Sequence, residues 1–395
     1  VRRSCLCFHF CGRAGSPSSK KDSREEKMSV QQALDAISAR GDQNQRMREM
    51  VALPLKYIEA KDVQSLQTLV DLMLSEDSKY TLFARQVIHE IASKLDQLPA
   101  EALKAVAEFA MTRLRSRVAS YEEEDMMFRE KYSDILREEG RFIEAAKCLS
   151  AINIERAKTV DDRCDKLITI AECFLEEDDS VSAEAYCNKA GMIVHEVENK
   201  VIELRYRVTY ARILDSKRQF LLAANKYFEL SLNPFGMEID TQDLFQLLCD
   251  AATCCVLAPA GPQRSRLLNS LMKEDRIRSV PAFEMVKKMY LQRIVTPADL
   301  QAFSSTLKEH QVATDKEGVT YLERAVLQHN VLAASRVYKN MRLESFGALL
   351  GVEPLKAEKI ATKMIREARM EGSVDQKAGI IHFAQMEGQE LVSWD

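Results

Sequence analysis

Residues 343–385 read LESFGALLGVEPLKAEKIATKMIREARMEGSVDQKAGIIHFAQ, and this stretch decides the fold of the last part of the chain. It starts with a short helical pattern that Gly351 closes. A longer helical pattern follows, with Pro354 at its start and Gly372 after its end, the positions where helices favour these two residue types. Beyond it, β-branched and aromatic residues flank a turn-prone segment at 375–379, which is typical of a β-hairpin. Helix, turn, helix and hairpin together predict a winged helix.

The longer of these two helices carries four basic side chains whose spacing places them on one face. They are Lys356, Lys359, Lys363 and Arg366. The core-facing side of the same helix is predicted to consist of Ile360, Ala361, Met364, Ile365 and Ala368. In winged helices that bind DNA, the corresponding helix enters the major groove, where a basic stripe meets phosphates. Because Glu358 and Glu367 border the stripe and the chain has a net charge of −4, a solvated or protein-facing surface is favoured over a nucleic-acid site.

Upstream of the winged helix, three segments share the same order of features: a polar turn, a hydrophobic residue, and a pair of small residues at the start of a helix. They occupy residues 138–149, 177–190 and 216–230. The alanines at the matching position are predicted to be Ala145, Ala185 and Ala223, which lie 40 and 38 residues apart. This period is close to that of two-helix solenoid repeats, and a methyl group there lets helices of adjacent hairpins cross closely. The pattern predicts a right-handed solenoid of helix pairs, similar to tetratricopeptide or HEAT repeats.

The composition supports a helical chain throughout. Only 13 of the 395 residues are Gly and 9 are Pro, too few for the frequent tight turns of a sandwich, propeller or barrel. Hydrophobic residues make up 46% and charged residues 29%, so the chain can bury a core and is neither disordered nor fibrous. No apolar run approaches the ~18 residues that a membrane span needs. The predicted fold class is all-α apart from the hairpin, and no membrane partner is expected.

The composition also changes along the chain and suggests three parts. Residues 1–27 are basic, begin with Val and precede Met28, so they are predicted to be upstream sequence or a disordered leader, or alternatively a targeting peptide. The other predicted bounds are 28–232 for a helical-repeat arm and 233–390 for the last domain, divided into a helical part at 233–341 and the winged helix at 342–390.

The sequence contains no constellation that predicts an enzyme. His89 and His195 are each followed by Glu, yet neither belongs to the H-E-x-x-H motif of zinc hydrolases, and the sequence has no phosphate-binding glycine motif. His329 and His382 flank apolar residues and are predicted to be buried, structural histidines. We therefore predict no catalytic residues, no cofactor and no metal site.

The ten cysteines fall into two groups. Cys5, Cys7 and Cys11 lie in the leader with His9 between them, and they lack the paired spacing of a closed zinc site. The other seven lie mostly in apolar helical patterns, where free thiols act as small buried hydrophobes. This usage suits a reducing compartment, so the expected location is the cytoplasm and the nucleus.

A helical solenoid that ends in a winged helix and lacks a catalytic set resembles the PCI-domain proteins, the scaffold subunits shared by the proteasome lid, the COP9 signalosome and translation initiation factor 3. Within that family, the amino-acid sequence is most similar to the signalosome branch. The resemblance runs from about Glu122 to Asp395 and is most specific at 259–276, PAGPQRSRLLNSLMKEDR. Residues 28–120 match the family only in their helical pattern of apolar residues.

The resemblance implies a non-catalytic scaffold subunit that supports removal of NEDD8 from cullin-RING ubiquitin ligases, while another subunit carries the catalysis. The implied partners are other COP9 signalosome subunits, through the PCI domain, and neddylated cullin-RING ligases, through the helical arm. In the family, neighbouring winged helices join edge to edge, and an exposed strand edge suits such pairing. The edge strand is predicted at Gly379, Ile380, Ile381, His382 and Phe383. Ile381→Pro would then lower assembly without unfolding the arm.

Two alternatives stay open. One is a PCI subunit of the proteasome lid, which the sequence of residues 259–276 disfavours. The other is a nucleic-acid or translation-factor adaptor of the PCI group that uses the basic stripe on the second helix of the winged helix. The acidic net charge of the chain disfavours this second alternative.

Overall fold

The computed structural model of the chain describes residues 30–39, 43–75, 79–157, 159–233, 236, 238–314 and 318–384. The predicted leader, with its three cysteines, and residues 385–390 of the predicted winged helix lie outside the described residues. The chain divides into two compact units, Val1–Ala157 and Lys158–Asp395.

Nineteen α-helices, five short 3-10 helices and three short strands make up the regular structure of the described residues. The helices of the first unit are α1 (30–38), α2 (Gln43–Glu59), α3 (Val63–Leu74), α4 (Thr81–Lys94), α5 (Ala100–Leu114), α6 (Glu122–Glu138) and α7 (Phe142–Ser150). Those of the second unit are α8 (Val160–Glu176), α9 (Ser180–Ile193), α10 (Lys200–Ser216), α11 (Phe220–Ser231), α12 (Thr241–Leu257), α13 (Pro262–Met272), α14 (Phe283–Tyr290), α15 (Pro297–Ser304), α16 (Glu309–Val312), α17 (Tyr321–Val337), α18 (Leu343–Leu350) and α19 (Pro354–Arg366). The strands are β1 (Asn340–Arg342), β2 (Gly372–Asp375) and β3 (Ile380–Phe383). The predicted all-α fold with a small β-hairpin near the C-terminus is confirmed.

Four helical hairpins use the same turn, in which the second residue after the first helix adopts a left-handed backbone conformation. These residues are Lys61 (φ 55°), Gly140 (φ 75°), Asp178 (φ 58°) and Arg218 (φ 62°). In each turn the backbone N–H of the next residue donates a hydrogen bond back to a carbonyl in the last turn of the first helix, as Arg141 does to Leu136 at 2.8 Å. This is the Schellman arrangement, which satisfies carbonyl groups that a helix end leaves without a partner. The second helix can therefore begin two residues later.

The helix pairs do repeat, but the predicted alignment of the second copy with the other two is wrong. Helices α6, α8 and α10 begin at Glu122, Val160 and Lys200, which are 38 and then 40 residues apart. The fourth residue of each following helix is a fully buried alanine: Ala145, Ala183 and Ala223. The predicted Ala185 is exposed instead. The N-cap carboxylate of Asp179 accepts a hydrogen bond from the N–H of Ser182, and this cap fixes the start of α9 two residues earlier than the sequence match implied.

The shared turn makes a prediction about stability. Gly140→Ala is expected to destabilise the protein by about 1 kcal/mol, because a Cβ atom is disfavoured at positive φ. Lys61→Gly is the matched reverse change in the equivalent turn, and it is expected to stabilise the protein by a similar amount. Chemical denaturation of the two variants and the wild type measures both effects. Equal midpoints for all three proteins would contradict the role of backbone conformation in these turns.

A hydrophobic core of the first unit runs from α1 to α6. Helix α2 packs against α4, α3 against α5, and α6 against both α5 and α7. Leu66, Leu69, Val70 and Met73 form the buried face of α3, which the Asp62 side chain caps by accepting a hydrogen bond from the N–H of Ser65. The spacing of these four residues is the three- and four-residue period that the sequence predicts for an amphipathic helix.

In the second unit, a buried carboxylate ties the short helix α16 to α10. Asp215 is 2% exposed and accepts hydrogen bonds from Gln311 Nε2 at 3.1 Å on both of its oxygens. His310 Nε2 lies 3.2 Å from Asp215 Oδ2. Burial by itself raises the pKa of Asp215, but the contacts from His310 and Gln311 outweigh it, so the pKa is lowered and the carboxylate stays ionised. The last hairpin of the repeats is thereby fixed to a segment 96 residues further along the chain.

Candidate protein-interaction site

The predicted hairpin forms, but it is part of a three-stranded antiparallel sheet with the order β1-β3-β2. Strand β3 pairs with β2 from Gly372↔Phe383 to Asp375↔Ile380, and with β1 from Asn340↔His382 to Arg342↔Ile380. Strand β1 was not predicted from the sequence. Its three residues, Asn340 to Arg342, are too short and too polar to show a strand pattern.

The prediction that Ile380–Phe383 is an edge strand is therefore wrong. It is the central strand, with pairing on both sides. Ile381 and Phe383 are buried in the core of the winged helix, where the Phe383 ring lies 5.9 Å from the Phe346 ring in a T-shaped arrangement. His382 is exposed, contrary to the prediction of a buried histidine, and Gly379 forms the turn with φ 64°. Whether this segment lies at a subunit interface stays a prediction.

The strand order determines which strands of the sheet could pair with a strand of a partner protein. The outer strands of the sheet are β1 and β2, and an added strand would pair with one of them. Ile381→Pro no longer tests such pairing, because a proline in the central strand removes a backbone donor from the interior of the sheet. We now expect that substitution to unfold the winged helix.

A glycine gives a test of the sheet itself. A Cβ atom on Gly372 would lie 2.5 Å from the backbone oxygen of His382, which the sheet holds in place. Gly372→Ala is therefore expected to destabilise the winged helix by about 1–3 kcal/mol, the usual range for overpacking. Hydrogen exchange of the β2 and β3 amides measures the effect. Ser373→Ala, at the exposed neighbouring position, is the control and should leave exchange unchanged. Equal protection in both variants would contradict the pairing of Gly372 with Phe383.

The four predicted basic residues Lys356, Lys359, Lys363 and Arg366 are all exposed on α19. The buried face of that helix consists of Ala357, Ala361 and Met364. Ile360 and Ile365 are half-buried, as residues at the border of the core would be. Ala368 was predicted to face the core but is exposed, because α19 ends at Arg366 and Ala368 adopts a left-handed conformation with φ 52°.

A buried polar junction connects α17, the loop before α13 and the segment between α19 and β2. Gln328 is 6% exposed, and its Oε1 accepts hydrogen bonds from the N–H of Ala260 at 3.3 Å and from Arg369 Nη1 at 2.7 Å. Arg369 Nη1 also donates to the carbonyl of Ala260 at 3.1 Å. The passage at 259–276, which carries the most specific part of the family resemblance, therefore contributes its loop to this junction.

The next two residues of α17 extend the junction. Asn330 is 5% exposed and makes two hydrogen bonds with the backbone of Val295, accepting from its N–H at 2.9 Å and donating to its carbonyl at 3.0 Å. His329 is 2% exposed, and its Nε2 lies 2.8 Å from the carbonyl of Arg293. The prediction of a structural role for His329 is confirmed. Three consecutive side chains of one helix thus hold three different segments.

The guanidinium of Arg264 is buried beside His329, and no carboxylate of the described residues pairs with it. It donates to the carbonyl of Ala258 at 3.0 Å and contacts His329 Nδ1 at 3.2 Å. Burial lowers the pKa of Arg264 to about 10, so it stays charged at neutral pH. Burial and then the Arg264 charge lower the pKa of His329 to about 4. His329 is therefore neutral, with Nδ1 accepting from Arg264 and Nε2–H donating to Arg293.

The described residues contain no group of three or more His, Cys, Asp or Glu side chains placed to hold a metal ion. In the same part of the chain, no helix is long and apolar enough to cross a bilayer. All seven cysteines after the leader are free thiols, five of them buried. Burial raises the pKa of Cys164 to about 11 and that of Cys187 to about 12, which keeps both protonated.

Two protein-family models match the chain. Residues 30–238 match the family described as PSMD12/CSN4, N-terminal, and residues 288–385 match the PCI domain. Helical hairpins followed by a winged helix, together with the match to the PCI domain, define a PCI-domain protein.

Similarity over almost the whole chain identifies the branch of that class. COP9 signalosome complex subunit 4 of Arabidopsis thaliana is 40% identical over 373 residues, which are 93% of this chain and 94% of the plant protein. The Drosophila melanogaster subunit 4 is 35% identical over 90% of this chain and 86% of its own length, and the Dictyostelium discoideum subunit 4 is 33% identical over 93% and 92%. The chain belongs to the family of COP9 signalosome complex subunit 4. The similarity reaches upstream of Glu122, where the sequence by itself indicated only a pattern.

Proposed function

We propose that this chain is a non-catalytic scaffold subunit of the COP9 signalosome that supports removal of NEDD8 from cullin-RING ubiquitin ligases. The observation that carries the proposal is the PCI-domain match together with similarity over more than nine-tenths of the chain to a relative named as subunit 4 of that complex. The full-length relatives favour the signalosome over the proteasome lid. The chain contributes binding surfaces, and another subunit supplies the catalysis.

In this proposal the winged helix joins neighbouring subunits and the helical hairpins contact the cullin-RING ligase. The outer strands β1 and β2 present the backbone groups suited to pairing with a neighbour. Stacked helical hairpins offer extended surfaces of the kind that repeat proteins use for binding. The free thiols of the second unit support a location in the reducing cytoplasm and nucleus.

Depletion and rescue in cells of the source organism test this function. Loss of the chain is expected to raise the neddylated fraction of cullins on an immunoblot, and expression of the full chain is expected to restore it. A control protein depleted in parallel should leave the fraction unchanged. An unaltered cullin pattern after complete depletion would contradict the proposed role in deneddylation.

A further inference from the structure

The exposed face of α19 points to a second binding surface, separate from the strand pairing described above. We propose that Leu355, Lys356, Lys359, Lys363 and Arg366, here named the basic face, bind an acidic helical segment of a protein partner. The proposal extends beyond subunit assembly through the sheet, because none of these residues belongs to β1, β2 or β3.

The geometry of α19 makes the basic face one continuous strip. At 3.6 residues per turn, the five side chains fall within a sector of about 100°. The strip runs along about 15 Å of the helix axis from Lys356 to Arg366, given a rise of 1.5 Å per residue. The buried face of Ala357, Ala361 and Met364 lies on the opposite side of the helix. The strip therefore faces outward over its whole length.

The charges of the basic face have no counter-ions among the described residues. The four basic side chains form no ion pair there, although Glu358 and Glu367 border them. Glu358 accepts a hydrogen bond from Gln376, and Glu367 forms an ion pair with Arg369 at 2.6 Å. Some other arginines of the second unit form ion pairs with carboxylates of a different helix, as Arg212 of α10 does with Glu176 of α8 at 2.7 Å. The basic face is thus a strip of uncompensated positive charge.

Three observations favour an acidic helix over a nucleic acid as the occupant. Residues 340–384 contain seven basic and six acidic side chains, so the winged helix has almost no net charge to attract a phosphate backbone. Leu355 is 67% exposed at one end of the strip and offers an apolar contact that suits an amphipathic helix. The basic residues recur at alternating spacings of three and four, the spacing at which a partner helix presents one row of side chains.

Fluorescence anisotropy with the purified full chain tests the proposal. The probe is a labelled helical peptide of about 20 residues, with Glu at the matching spacing of three and four and one Leu at its end. A second peptide has the same composition with the Glu residues distributed around the helix, and a third probe is a labelled DNA duplex. At about 50 mM salt, where exposed charges are weakly screened, the matched peptide is expected to bind about tenfold more tightly than the distributed one.

Charge-reversal variants assign the binding to the strip. Lys359→Glu with Lys363→Glu is expected to weaken binding of the matched peptide by at least about tenfold. The control is Lys273→Glu with Arg278→Glu, which makes the same change in net charge at two other exposed positions and should change binding less than about twofold. Equal binding of the two peptides, tighter binding of the DNA duplex, or equal loss in both double variants would each overturn the proposal.

Discussion

Asn330→Leu is expected to lower the free energy of unfolding by about 2–6 kcal/mol, because it leaves both backbone groups of Val295 without hydrogen-bond partners at a buried position. Each orphaned group costs about 1–3 kcal/mol, and Val295 is only 3% exposed, so water cannot easily replace the amide. Chemical denaturation monitored by circular dichroism measures the change.

Two further variants sharpen the test at Asn330. Asn330→Asp keeps the shape of the side chain and can still accept from the N–H of Val295, but its carboxylate cannot donate to the Val295 carbonyl and is costly to bury. It should therefore also destabilise the protein. Asn269→Leu makes the same chemical change at an exposed position of α13 and should alter stability by less than about 0.5 kcal/mol. Similar stabilities of the Asn330→Leu and Asn269→Leu proteins would contradict the stabilising role of Asn330 in the buried polar junction.

The second large effect is expected on lowering the pH. The pKa of His329 is 6.5 in an unperturbed chain and about 4 in the folded protein, so between these values the unfolded chain binds a proton that the folded chain does not. Protons therefore favour unfolding in this range. The contribution of His329 to stability is complete above pH 6.5 and is lost as the pH falls towards 4. Over this interval the loss amounts to about 3 kcal/mol.

His329→Gln separates this effect from the titration of other groups. The glutamine amide does not titrate, so between pH 7 and pH 4 the variant should lose about 3 kcal/mol less stability than the wild type. His382→Gln makes the same substitution at an exposed position and serves as the matched control. Parallel profiles for wild type and His329→Gln would show that burial beside Arg264 does not hold the imidazole neutral.

Local sequence signals were sufficient to predict the helices and the hairpin of the winged helix. Gly351 and Pro354 mark the turn between α18 and α19, and the segment at 375–379 marks the turn between β2 and β3. The basic side chains of α19 could also be placed on one exposed face, because a helix of known start has a fixed period. These features depend on residues near one another in the chain.

Features that depend on distant residues could not be predicted in this way. Strand β1 is recognisable only because β3, about forty residues later, pairs with it, and its presence converts β3 from an edge into a central strand. Gln328, His329 and Asn330 interrupt the apolar pattern of α17, and nothing local indicates that their partners include Ala260 and Arg369. A run of three polar residues between the apolar stretches 325–327 and 331–334 of α17 was the available signal for this junction.

Affinity purification of the tagged full chain from cells of the source organism, followed by mass spectrometry, tests membership of the COP9 signalosome most directly. We expect recovery of the other signalosome subunits in near-equal amounts, together with cullins. Recovery of proteasome lid subunits and proteasomal ATPases in place of the signalosome subunits would contradict it.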